Sequence, residues 1–170
     1  ETGETSELTE TEVRETILGF QGKIFQVPPM YSALKVNGKK LCDLARAGVT
    51  VERKARPVTI YAIQVECVEL PYVTMTVSCS KGTYIRTLCH DIGQKLGCGA
   101  AMKSLVRLQA AGYHIEDAYK LDKLQELKEA GILKDVVTPI EHVFEVYPVL
   151  TTKPEFDIML KNGNKMALQQ

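Results

Sequence analysis

Two apolar runs separated by Pro71-Tyr72 constrain this chain more than any other feature. Residues 56–70 form a long stretch rich in Val, Ile and Tyr. Residues 73–80 place Val73, Met75, Val77 and Cys79 on one face, with Thr and Ser on the other. A period of two belongs to a strand with one buried face. The two runs predict an antiparallel pair turning at Pro71-Tyr72. Gly82 breaks the second run, and residues 84–96 return to helical spacing through Ile85, Leu88, Ile92 and Leu96. Gly97 and Gly99 stop that helix.

The rest of the chain is mixed. Thr9 and Glu12 form a capping-box pair ahead of Val13, Thr16, Ile17 and Phe20, which predicts an amphipathic helix over 10–20. Pro28-Pro29 excludes helix and central strand, so residues 23–32 are expected to be loop. A short strand over 33–36 should turn at Asn37-Gly38, a strong hairpin signal. A short helix is expected over 41–47, with Gly48 as its cap. A strand is expected over 105–113, a charged helix over 121–130 ending at Gly131, and one helical turn over 139–144. After Pro148 the texture changes to Thr151, Thr152, Pro154, Asn162, Gly163 and Asn164. The expected division is therefore 1–146 as one domain and 147–170 as the start of a second. Without regular βαβ alternation, the fold class is α+β: a mixed, mainly antiparallel sheet with flanking helices.

Charge is informative by its distribution, since the net charge is zero. Residues 1–20 carry six glutamates against Arg14. Residues 35–56 carry Lys35, Lys39, Lys40, Arg46, Arg53, Lys54 and Arg56 against Asp43 and Glu52. That excess could track phosphates or form a solvated face. The five cysteines contain no CxxC pair, which argues against a disulfide framework and zinc and for a reducing, cytoplasmic compartment. No metal is expected at the three isolated histidines. No run approaches the roughly 18 apolar residues of a membrane span.

Two segments carry candidate chemistry. In the first, Pro28-Pro29 stiffens the backbone just ahead of Tyr31. A ring held on such a loop can stack on an unpaired base, or it can pack under the loop. In the second, Ser80-Lys-Gly-Thr-Tyr-Ile-Arg86 joins a strand to a helix. The helix start has free N–H groups and a positive dipole end. Arg86 there is unfavourable unless an anion faces it. A phosphate, a carboxylate from elsewhere in the fold, or a surface carboxylate would serve. Leu105 by its own chemistry reads as core.

The segment from Gln26 to Lys35, QVPPMYSALK, and the segment from Ser80 to Leu88, SKGTYIRTL, resemble the two main motifs of the bacterial TruB-type tRNA pseudouridine synthases. The likeness continues through Asn37-Gly38, Ala45-Arg46, Arg56-Pro57, Asp91-Ile-Gly93 and Lys95-Leu-Gly-Cys-Gly99, and covers about residues 8–145. Val106 departs from it, standing where the family usually has the first Arg of a pair. Guide-RNA-dependent relatives share the fold, but their first motif lacks the tyrosine, so the stand-alone type fits better.

The resemblance implies conversion of a T-loop uridine in tRNA to pseudouridine, without a cofactor. The bond from ribose to base nitrogen is broken and remade to a base carbon on a flipped base. It implies that Tyr31 stacks on that base, that Tyr84 contacts substrate and that Leu105 lines the base pocket. Arg86 should support an aspartate nucleophile, and Lys35, Lys81 and Arg107 are secondary RNA contacts. The expected partner is the tRNA T-arm, with no membrane, and the expected state is a monomer. The family's aspartate motif lies upstream of the position of Glu1, so this polypeptide alone is expected to be inactive. The alternative is a non-catalytic RNA-binding or tRNA-remodelling module.

Overall fold

The computed structural model describes residues 3–149 and 151–164. The chain divides into two compact units, Glu1–Val106 and Arg107–Gln170. The first unit holds a three-stranded antiparallel sheet in the order β1 (Gly22–Gln26), β4 (Arg56–Glu69), β5 (Tyr72–Cys79). Helices α1 (Glu10–Leu18) and α3 (Ile85–Leu96) pack against it. The core is Val13 and Ile17 from α1, Ile60 and Ile63 from β4, and Leu88 and Ile92 from α3. The expected α+β class is what the structure has.

Local signals account for several elements. The Thr9 hydroxyl accepts the Glu12 N–H at 3.2 Å, and Glu10 and Glu12 sit favourably at the positive end of α1. Asn37 and Gly38 both have positive φ, 51° and 79°, as the two central residues of a tight hairpin require. They join β2 (Lys35–Val36) to β3 (Lys39–Lys40), which leads into α2 (Leu41–Arg46). In β5, Met75, Val77 and Cys79 are half-buried, while Thr74, Thr76 and Ser78 are exposed.

Burial in β4 does not alternate strictly, because the strand is bulged. Its pairing with β5 skips one residue between Ile60 and Ala62 and another between Val65 and Cys67. The first extra residue resets the pleat, so Ile60 and Ile63 both reach the core three positions apart. Tyr61, the skipped residue, is left exposed.

Three expectations are corrected. Residues 23–32 are not all loop, since Gly22–Gln26 pairs with β4 in the register Gln26 to Arg56. Only the stretch after Gln26 obeys the Pro28-Pro29 restriction. Residues 105–113 do not form one strand. In the second unit β6 (Gln109–Ala110) turns through Ala111 and Gly112, both at positive φ, into β7 (Tyr113–His114). Leu105 is not core: it is 56% exposed.

The second unit continues with α4 (Leu121–Glu129), short 3-10 turns including Ile140–Phe144, and α5 (Asp157–Lys161). None of its described residues is buried. No helix among the described residues is long and apolar enough to cross a membrane.

Candidate functional site

The site is built where the end of β1 meets the start of α3. The β4–β5 ladder runs one residue further than the strands, because the Ser80 N–H donates to the Thr59 carbonyl at 2.8 Å. The Ser80 hydroxyl in turn accepts the Thr59 N–H at 3.0 Å. Serine can close both halves of this pair without an adjoining strand. Gly82, at φ 84°, then makes the bend that brings the chain to Tyr84.

Tyr84 is the N-cap of α3, yet no side chain caps it in the usual way. Instead the Gln26 amide grips its backbone from both sides. The Tyr84 N–H donates to Gln26 Oε1 at 3.0 Å, and Gln26 Nε2 donates to the Tyr84 carbonyl at 3.3 Å. Gln26 is 2% exposed. The two sequence motifs, 58 residues apart at this contact, are therefore joined by one side chain.

The elbow after Gln26 is held by three further hydrogen bonds. Arg53 Nη1 donates to the Pro28 carbonyl at 3.2 Å. The Cys42 N–H at the start of α2 donates to the Ser32 carbonyl at 3.0 Å, and Leu41 N–H to Leu34 at 2.7 Å. Free N–H groups of a helix start thus tie down the loop. Tyr31 rides on this braced loop and is 63% exposed.

A cleft of about 750 Å³ opens beside the junction. Its walls include Val27 and Pro29 from the elbow, Arg53, and Arg86, His90 and Asp91 from α3. Arg86 is exposed to it and has no carboxylate partner among the described residues. Burial pushes the Asp91 carboxyl above its ordinary range, while the neighbouring His90 pulls it part of the way back. The cleft therefore holds one unpaired cation at a helix start, a second guanidinium, and a carboxyl biased towards its neutral form.

The structure places Arg86 with the elbow residues on one cleft, with Tyr31 two residues beyond Pro29 and Tyr84 two residues before Arg86. Lys81 lies exposed in the turn before α3. Lys35 lines a separate shallow hollow of about 450 Å³ with Lys39, Lys40 and Asp43. Leu105 is near the end of the first unit, and Arg107 opens the second. Sequence reasoning missed Gln26 and Arg53. Gln26 headed a motif but carried no chemistry on paper, and Arg53 was one charge among many. No group of three or more His, Cys, Asp or Glu is placed to hold a metal among the described residues.

Comparison with known proteins identifies the family. The profile described as "TruB family pseudouridylate synthase (N terminal domain)" matches residues 1–85. The profile "tRNA pseudouridylate synthase B C-terminal domain" matches 86–145. The chain is 47% identical to a tRNA pseudouridine synthase B of Clostridium kluyveri over 156 residues, which is 92% of this chain and 53% of that protein. It is 44% identical to the protein of that name from Clostridium acetobutylicum, over 94% of this chain and 54% of the relative. The chain thus spans about half the length of the curated relatives it matches. Among solved structures it resembles one from a crystal structure of a Cbf5-Nop10-Gar1 complex, with a TM-score of 0.64 and 28% identity, covering 81% of this chain and 39% of the other. A second, an H/ACA RNP bound to a substrate RNA containing 2'-deoxyuridine, has a TM-score of 0.60 at 24% identity over 83% and 38%, a likeness of fold alone. With the two halves matched in order and both motifs meeting at Gln26 and Tyr84, the chain belongs to the TruB pseudouridylate synthase family.

Proposed function

We propose that this chain is the base-handling part of a tRNA pseudouridine synthase, acting on a uridine in the T-loop. The observation that carries it is the junction of the two motifs on a cleft lined by Arg86, a helix-start cation without a carboxylate partner among the described residues. A cation at the positive end of a helix calls for an anion. In this reaction that anion is an aspartate nucleophile contributed from outside these residues. Arg86 orients it and favours its ionised form. No cofactor takes part. The base nitrogen leaves the ribose carbon, and a ring carbon of the same base takes its place, so the product is an isomer.

The other residues have distinct roles here. Tyr31, exposed on a doubly braced loop, stacks on the flipped base. Tyr84 contacts the substrate next to Arg86. Leu105, exposed rather than core, lines the base pocket. Lys35, Lys81 and Arg107 contact the RNA backbone of the T-arm.

The test uses unmodified tRNA transcript and chemical labelling of pseudouridine. The complete gene product is expected to modify the T-loop uridine, and the 170-residue chain by itself is not. Turnover by the chain alone would place the nucleophile within it, with Asp91 the first suspect. Tight tRNA binding by the complete product without any turnover would select a non-catalytic remodelling module instead.

A further inference from the structure

We propose that Gln26 is a positioning residue for this reaction, holding the substrate-facing start of α3 at a fixed angle to the elbow. The role rests on the function proposed above. Gln26 touches no reacting atom. It acts through Tyr84, whose N–H and carbonyl it engages at 3.0 and 3.3 Å.

A side-chain amide offers one acceptor and two donors on a rigid plane. Here it binds both polar groups of one residue, as a neighbouring strand would. Two bonds to one residue fix its orientation, which a single bond does not. Tyr84 is the last non-helical residue before α3, at φ −100° and ψ 106°. Its dihedrals set the direction in which α3 leaves, and so where Arg86 projects two residues later. The other end of Gln26 is rooted in β1, paired with Arg56 of β4. Pro28 and Pro29 follow closely and transmit that position to Tyr31 with little freedom. One buried amide thus relates the stacking ring to the cation. A displacement of about 1 Å in such a pair can cost on the order of 100-fold in rate.

Burial gives the test its discrimination. In Gln26→Glu the ionised carboxylate can still accept the Tyr84 N–H, but it faces the Tyr84 carbonyl with a negative charge. Protonation supplies an O–H donor and restores both bonds. Burial raises the pKa of such a carboxyl, so protonation should occur within a usable range of about pH 5–8. Gln26→Leu removes both bonds at every pH.

The measurement is single-turnover pseudouridine formation by the complete enzyme at saturating unmodified tRNA, against pH, with affinity and melting temperature measured alongside. Gln26→Leu is expected to react about ten-fold more slowly or worse at all pH values, a loss of ~1.4 kcal/mol in barrier terms. Its tRNA affinity and salt slope should stay within about two-fold of wild type, because no phosphate contact is touched. Gln26→Glu should show a similar deficit near pH 8 that narrows towards pH 5.5, on the order of one proton taken up. If Gln26→Leu fails to fold, the pH dependence of Gln26→Glu decides alone. Wild-type saturated rates in folded variants, a Gln26→Glu deficit parallel to wild type at every pH, or a loss confined to affinity would each overturn the role. A wild-type enzyme that binds tRNA but forms no pseudouridine would instead sink the proposed function, and this role with it.

Discussion

Arg53 donates from Nη1 to the carbonyl of Pro28 at 3.2 Å, fastening the basic segment that follows α2 to the elbow that carries Tyr31. The same guanidinium buries its Nε without a partner among the described residues. One bond therefore restrains the loop, while one orphan donor opposes it. Replacing Arg53 by Met keeps the aliphatic volume and removes both. The expected stability loss is only about 1 kcal/mol, since the orphan's desolvation cost disappears with the bond. The loop should loosen more than the global stability falls. Amide hydrogen exchange over residues 30–34 in the complete protein is expected to speed up, and unchanged protection there would show that Arg53 does not brace the elbow.

Arg86 distinguishes two kinds of anion. If it held a phosphate, Arg86→Ala would weaken binding, lower the salt slope by about one unit and spare turnover at saturating tRNA. If it holds a carboxylate, the same substitution would leave the salt slope intact and cut saturated turnover sharply. The second outcome is expected. Arg86→Lys should rescue little, because an ammonium lacks the bidentate fork. Single-turnover rate and affinity across a salt series in the complete enzyme decide it, and a reduced slope with normal saturated turnover would remove the carboxylate assignment.

Tyr31→Leu should slow the chemical step and leave most of the tRNA affinity, which comes mainly from backbone contacts. Stacking on one base is worth roughly 1–3 kcal/mol, so the expected loss is about 5- to 150-fold. Stability should change little, because the ring is already exposed. A wild-type single-turnover rate would leave Tyr31 without a role in base handling.

Gly93 faces the turn that follows α3. A Cβ added there would lie 2.1 Å from the Ala100 nitrogen and 2.3 Å from the Gly99 carbonyl carbon. Both obstacles are backbone, so a rotamer change cannot relieve them. Gly93→Ala is expected to cost about 1–3 kcal/mol or more. A denaturant midpoint equal to wild type would show that the turn shifts freely.

Asp91 carries a pH signature. Burial raises its pKa above the ordinary 3.8, so the folded protein holds this proton more tightly than the unfolded chain. Its contribution is therefore most favourable below the unfolded pKa and declines as pH rises through the raised folded value. Asp91→Asn should stabilise the protein at pH 7, with the difference shrinking towards about pH 3.5. Denaturant midpoints across that range provide the check. A destabilised variant at pH 7 would mean that the ionised carboxylate has a favourable partner.

The elements visible in the sequence are those with local causes. The Thr9 cap, the Asn37-Gly38 turn, the alternation of β5 and the spacing of Ile85, Leu88 and Ile92 each act within a few residues. The two motifs were legible as chemistry for the same reason. Tertiary structure decided what depends on distant partners. β1 exists because β4 pairs with it; its burial alternates, but the outward face carries Phe25, 73% exposed, and the inward face ends in the buried Gln26, so the residue types hide the alternation. Ile60 and Ile63 share the core only because a bulge resets the pleat. Leu105 is apolar by type and exposed by position. Gln26 is polar by type and buried, because the backbone groups that satisfy its amide lie 58 residues away. A buried amide is tolerable only where its hydrogen bonds are met, and only the folded chain brings Tyr84 to meet them.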